Sequence, residues 1–177
     1  MKKALLPILA LILALGLTLP MASPATAHGF PGHTILLVAG QHEEVGNVQV
    51  WYDGVNLHVK YNITAAGWQL IETHLAVATN IADVPQNNNG NPKVGQFPYA
   101  EPDGDYTIPL VTASHNWAPV TNLVIAAHAV VRYTGPCGEV REETAWGMGR
   151  YCDGHDWVYS IPFGGKSWAE YFEYLVH

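Results

Sequence analysis

The chain has 177 residues and a formal net charge of −7, with eight Lys and Arg against fifteen Asp and Glu. That balance and the lack of any basic run argue against nucleic acid as a partner, because phosphate binding needs clustered cations to displace counterions. The length and a 49% hydrophobic composition suit one domain with a sizeable core.

The chain opens on Lys2 and Lys3, followed by an apolar run from Ala4 to Leu19, then Pro20 and the small-residue triplet Ala25-Thr26-Ala27. This is the three-part pattern of a secretory signal. It predicts cleavage after Ala27, so residues 1–27 are a signal peptide and 28–177 a single domain starting at His28. The alternative is an uncleaved anchor. The run is short for a span of about 20 residues, and Pro20 interrupts it. All fifteen acids and six of the bases lie beyond the signal, giving the mature chain −9. No later stretch is long and apolar enough for a membrane span. The expected location is extracellular or at the cell surface.

Period-two alternation dominates the mature sequence and predicts strands. Thr34-Ile35-Leu36-Leu37-Val38 is the first, strongly β-prone segment. Val48, Val50 and Tyr52 alternate with Gln49 and Trp51, Asp53-Gly54 marks a tight turn, and Val55, Leu57, Val59 and Tyr61 resume the pattern, which predicts a β-hairpin. Trp68 to Thr79 is a further strand, and the polar stretch from Asn80 to Asp105 reads as a long loop. Tyr106 to Val111, Leu123 to Tyr133, Glu143 to Trp146 and Trp157 to Ile161 read as strands. Ser167-x-x-Glu170 fits a helix capping box, while the aromatic density from Trp168 to Val176 favours a strand. The fold expected is all-β, an antiparallel β-sandwich or jelly roll.

Several short motifs recur as an ordered set: Gly67-Trp68, Glu72-Thr73-His74-Leu75, Pro85-Gln86, Gly90-Asn91-Pro92, Gly95-Gln96-Phe97-Pro98-Tyr99, Ala126-Ala127-His128-Ala129-Val130-Val131, Glu143-Thr144-Ala145-Trp146-Gly147, and Trp168-Ala169-x-Tyr171-Phe172. Over residues 39–176 the chain resembles a family of secreted microbial modules with no assigned biochemical activity. The resemblance implies a β-rich extracellular module and brings no catalytic residues with it. Residues 28–38 lie outside the pattern.

Outside the cytoplasm, Cys137 and Cys152 suggest a disulfide. Closing a loop of about fifteen residues contributes roughly 3 kcal/mol in the chain-entropy model. Asn62-Ile63-Thr64 is the only glycosylation sequon.

His28 supports a copper hypothesis. A terminal amine with its own imidazole, completed by a second imidazole, makes the square-planar nitrogen set that suits Cu(II). His28-Gly29-Phe30 resembles the mature start of histidine-brace proteins such as the lytic polysaccharide monooxygenases, which implies oxidative action on polysaccharide. His74, His128, His115 and His33 are candidates for the second imidazole. His74 and His128 sit mid-strand, and the competing reading makes them hydrogen-bonded packing histidines. His58, alternating with Lys60, is expected to face solvent. Calcium is the lesser cation candidate, at Glu101, Asp103 and Asp105 or at Asp153 and Asp156, against an ordinary acidic turn.

Trp51 alternates outward and is the candidate platform for an extracellular glycan. No Gly-x-Ser-x-Gly elbow occurs, and Gly164-Gly165-Lys166-Ser167 lacks the upstream Gly of a phosphate loop because Ser160 stands there. The function these features favour is a non-enzymatic extracellular module for surface structure, adhesion or assembly. Ile35, Leu36, Leu37 and Val38 would either complete their own sheet or pair with a neighbouring copy as a homo-oligomer or filament.

Overall fold

The structure is a computed structural model that describes residues 32–117, 121–148, 150–152 and 157–176; for 150–152, 157 and 158 only the backbone is described. The described chain is all-β. Its strands are β1 (His33–Ala39), β2 (Glu43–Tyr52), β3 (Asn56–Ile63), β4 (Trp68–Ala78), β5 (Tyr99–Glu101), β6 (Asp105–Pro109), β7 (Asn122–Thr134), β8 (Val140–Met148), β9 (Arg150–Cys152), β10 (Trp157–Pro162) and β11 (Glu170–Leu175).

The β2–β3 hairpin forms where the alternation places it. Asp53 Oδ1 accepts the backbone N–H groups of Val55 (2.8 Å) and Asn56 (2.7 Å), which fixes the turn, and Gly54 takes the positive φ it requires. Val48, Val50, Leu57, Val59 and Tyr61 then point inward and are buried.

All pairings among the described strands are antiparallel, in the order β6-β3-β2-β1-β8-β7, with β4 on the other edge of β7 and β5 on β4. The sheet curls until it is nearly a barrel. The seam closes through the tight turn between β5 and β6. There the Tyr61 N–H donates to the Gly104 carbonyl at 2.8 Å, and the Thr73 and Tyr106 hydroxyls meet at 2.6 Å. Gly104 has φ +64°, and a Cβ there would lie 2.9 Å from Tyr61 Cβ, so glycine is required for conformation and for space. This closure refines the sandwich expectation. Alternation reports which face is buried but not whether the first and last strands of a curled sheet meet.

β7 is thirteen residues long and has three partners: β4 along one edge, β8 and then β11 along the other. Where β4, β7 and β8 run between the two cores the wall is buried on both faces, which is why Leu75 to Ala78 and Leu123 to Ala129 do not alternate. Inside lies the main core, including Ile35, Leu37, Ile125, Phe172 and Tyr174. Outside lies a second core of Ala76, Ala78, Val124, Ala126, Trp146, Phe97 and Phe163. Burying each large side chain contributes roughly 1.5–3 kcal/mol.

The cover of the second core is the stretch from Asn80 to Phe97, a loop with its own internal order. It holds two 3-10 turns, Ile81–Asp83 and Val94–Gln96. Asn87 Oδ1 accepts the N–H groups of Asn89 and Asn91, and Asn91 Oδ1 accepts the N–H of Ser167 at 2.9 Å. Gly90, at φ +78°, approaches so near that a Cβ would sit 3.0 Å from the Gly164 carbonyl carbon. The Gly165 N–H donates to the Gly90 carbonyl. At the chain's end, Glu170 joins strand β11 and its carboxylate contacts the Ser160 hydroxyl, so the capping-box reading gives way to sheet pairing.

Candidate functional site

The site begins with two strands read separately in the sequence. His74 of β4 and His128 of β7 are direct cross-strand partners, and His128 also faces Trp146 across the β7–β8 pair. All three project from the outer face of the wall, at the margin of the second core. The two imidazole centroids lie 5.7 Å apart, and the Trp146 ring stands edge-on to His128 at 4.9 Å. Small flanking residues, Ala126, Ala127 and Ala129, let the rings settle against the sheet.

Only 5% of His128 is exposed. Burial, reinforced by repulsion from His74, holds its imidazole down at about 4, so it is neutral at physiological pH. His74 Nε2 lies 3.2 Å from Glu72 Oε1, and the Glu72 side chain is 55% exposed. The carboxylate favours the His74 tautomer with its proton on Nε2, which leaves Nδ1 as a bare lone pair. Both Nδ1 atoms are buried and have no hydrogen-bond partner among the described residues. Such orphaned atoms are rare in packed proteins. Among the described residues, no three His, Cys, Asp or Glu side chains gather as a ready metal site. The pair can offer an ion two nitrogen ligands.

His28, the anchor of the copper hypothesis, lies outside the described residues. His33 packs against the ring of Tyr174 at 5.0 Å and His115 stacks on Trp117 at 3.8 Å, and neither ring pairs with His74 or His128 in these contacts. Of the acidic loop, Asp105 pairs with Lys60 at 2.7 Å and Asp103 Oδ1 accepts the Asp105 N–H, the behaviour of an ordinary turn. Asp153 and Asp156 are outside the described residues.

Trp51 stacks on His58 with centroids 4.7 Å apart and planes 7° from parallel, so one indole face is covered. His58 is correspondingly half-buried rather than solvated. Its Nε2 meets Asp53 Oδ2 at 2.7 Å, and Asp53 is held well below the usual carboxylate range by that contact and by the turn's N–H donors. The sequence reading missed this dyad, although Asp at the turn and His five residues on is a visible signal.

The segment Ile35–Val38 occupies a slot inside its own sheet, with β2 on one edge and β8 on the other. Ile35 and Leu37 are fully buried, Val38 is buried and Leu36 is half-buried.

The disulfide expected between Cys137 and Cys152 is not shown among the described residues. Cys137 is a free, exposed thiol in the turn before β8, whereas Cys152 belongs to β9, beyond the far end of that nine-residue strand. The nine residues of β8, rising about 3.3 Å each, run between the two segments.

A second cluster unforeseen in the sequence sits at the barrel rim. The Arg141 guanidinium lies over the rings of Trp68 (4.8 Å) and Tyr133 (5.2 Å) and pairs with Glu43 at 2.6 Å. Set beside known proteins, the chain finds no match among family models, curated proteins or solved structures.

Proposed function

We propose that this chain is an extracellular, non-enzymatic β-module that serves surface structure, adhesion or assembly. The observation that carries the reading is where the ordered sequence motifs go. Gly90 and Asn91 lock the cover loop, Phe97, Trp146 and Ala169 fill the second core, and Trp68 and Phe172 belong to the first. The motifs thus serve a rigid two-core body. In an assembly built by strand exchange, the slot between β2 and β8 would receive β1 of the next copy.

Cysteines introduced at the cross-strand partners Leu36 and Met148 test this directly, in a background with Cys137→Ser and Cys152→Ser. Strand exchange is expected to give a ladder of covalent multimers on oxidation. Intramolecular cross-links alone, at every protein concentration, would reject exchange.

A second reading is favoured by the meeting of His74 and His128: copper held by the amine and imidazole of His28 with one of these histidines. It expects about one Cu(II) per mature chain, lost when one residue is added ahead of His28. An authentic mature form that binds no copper rejects it.

A further inference from the structure

We infer that the His74–His128 pair, oriented by Glu72, is itself a binding site for a borderline divalent metal ion, Cu(II) or Zn(II), without any ligand from His28. The inference goes beyond the module reading and does not rest on it.

Two features of the pair support it. First, the separation is right. With metal–nitrogen bonds of about 2.0–2.1 Å, one ion shared by two imidazoles sets their centroids no more than about 6.4 Å apart, and the observed spacing is 5.7 Å. Second, the outer partner is in place. A carboxylate on one ring nitrogen, with the other nitrogen left for the metal, is how ligating histidines are commonly oriented, and Glu72 stands to His74 Nε2 in that relation.

Packing alone accounts for the pair less well. A histidine that merely packs still places its polar atoms on partners, and both Nδ1 atoms here lack one among the described residues. Two imidazoles this near repel one another when protonated, yet both can donate to one cation. With only two protein ligands, the remaining coordination positions would fall to water or to a small oxygen or nitrogen ligand. That is an exchangeable site rather than a closed structural one. Nitrogen donors select Cu(II) and Zn(II) over Ca(II) and Mg(II), which prefer oxygen.

The test uses the mature chain and a version carrying one extra residue ahead of His28. Zn(II) is added while the imidazole ¹⁵N resonances are followed, and Cu(II) is titrated for stoichiometry. The expected result is one ion per chain in both versions, with the Nδ1 resonances of His74 and His128 shifting together. Affinity should fall at least 10-fold in Glu72→Gln and be lost in His74→Gln and His128→Gln. Glu72 is exposed, so Glu72→Gln keeps the measurement meaningful if either histidine variant fails to fold. Unshifted His74 and His128 resonances at saturating Zn(II), or full affinity in Glu72→Gln, overturns the inference. Binding lost only in the extended version also overturns it, and supports the His28 site instead.

Discussion

Gly104→Ala measures how firmly the barrel seam is closed. The new methyl enters at φ +64°, and the left-handed conformation costs an L-residue roughly 1–2 kcal/mol. It also meets Tyr61 Cβ at 2.9 Å, Leu70 Cδ2 at 3.0 Å and Thr73 Cγ2 at 3.1 Å. Crowding of that kind adds about 1–3 kcal/mol, for a total of roughly 2–5 kcal/mol. Gly138→Ala is the control. It sits at φ +86° in the turn joining β7 to β8, with nothing within 4 Å of the added Cβ. That variant isolates the backbone cost, roughly 1–2 kcal/mol. Urea denaturation followed by tryptophan fluorescence, at unchanged m, should show about twice the loss for Gly104→Ala or more. Equal losses in the two variants would refute the packed seam and leave an open, strongly curled sheet.

Three further outcomes are expected. His128 titrates at about 4 in the folded chain against 6.5 unfolded, so the unfolded state binds the extra proton in that window. Stability is therefore full above pH 6.5 and falls toward pH 4, by up to about 3 kcal/mol. His128→Gln should flatten this part of a Tm-against-pH curve, and an unchanged slope counts against the buried neutral ring. Asp53 is depressed instead, so its contribution is present above the unfolded value near 3.9 and is lost as pH falls below it. Asp53→Asn should weaken the acid dependence below pH 4, as read by the same melts. Cys137 should react with a thiol reagent in the native protein, and Cys137→Ser should leave stability within about 0.5 kcal/mol. A large loss would point back to a disulfide.

The hairpin of β2 and β3 was legible because one face is buried and the other wet, so the pattern shows both the strands and the Asp53-Gly54 turn. β7 was legible as a strand from its apolar run, but not as the wall between two cores. A strand buried on both faces carries no alternation to say what lies on either side. The cover loop hid for a different reason: Asn87, Gly90 and Asn91 read as a polar turn cluster, and their bonds to Gly165 and Ser167 are long-range. His74 and His128 were each singled out from their apolar neighbours. Their pairing depends on the β4–β7 register, which a bulge near Leu70 and Glu72 shifts, and no local pattern encodes it. The missed strands β5 and β9 have three residues each, too short for any periodicity.

The placement of β1 has a consequence for how the chain acquires its shape. Its second neighbour, β8, follows it by more than a hundred residues, and the main core takes Phe172, Tyr174 and Val176 from the last described strand and the residue after it. A growing chain therefore cannot complete the interior until β11 has emerged. Such non-local closure is slow, because each pairing must overcome a long loop entropy before any contact rewards it. Until then the apolar strands of the main core lack part of their packing.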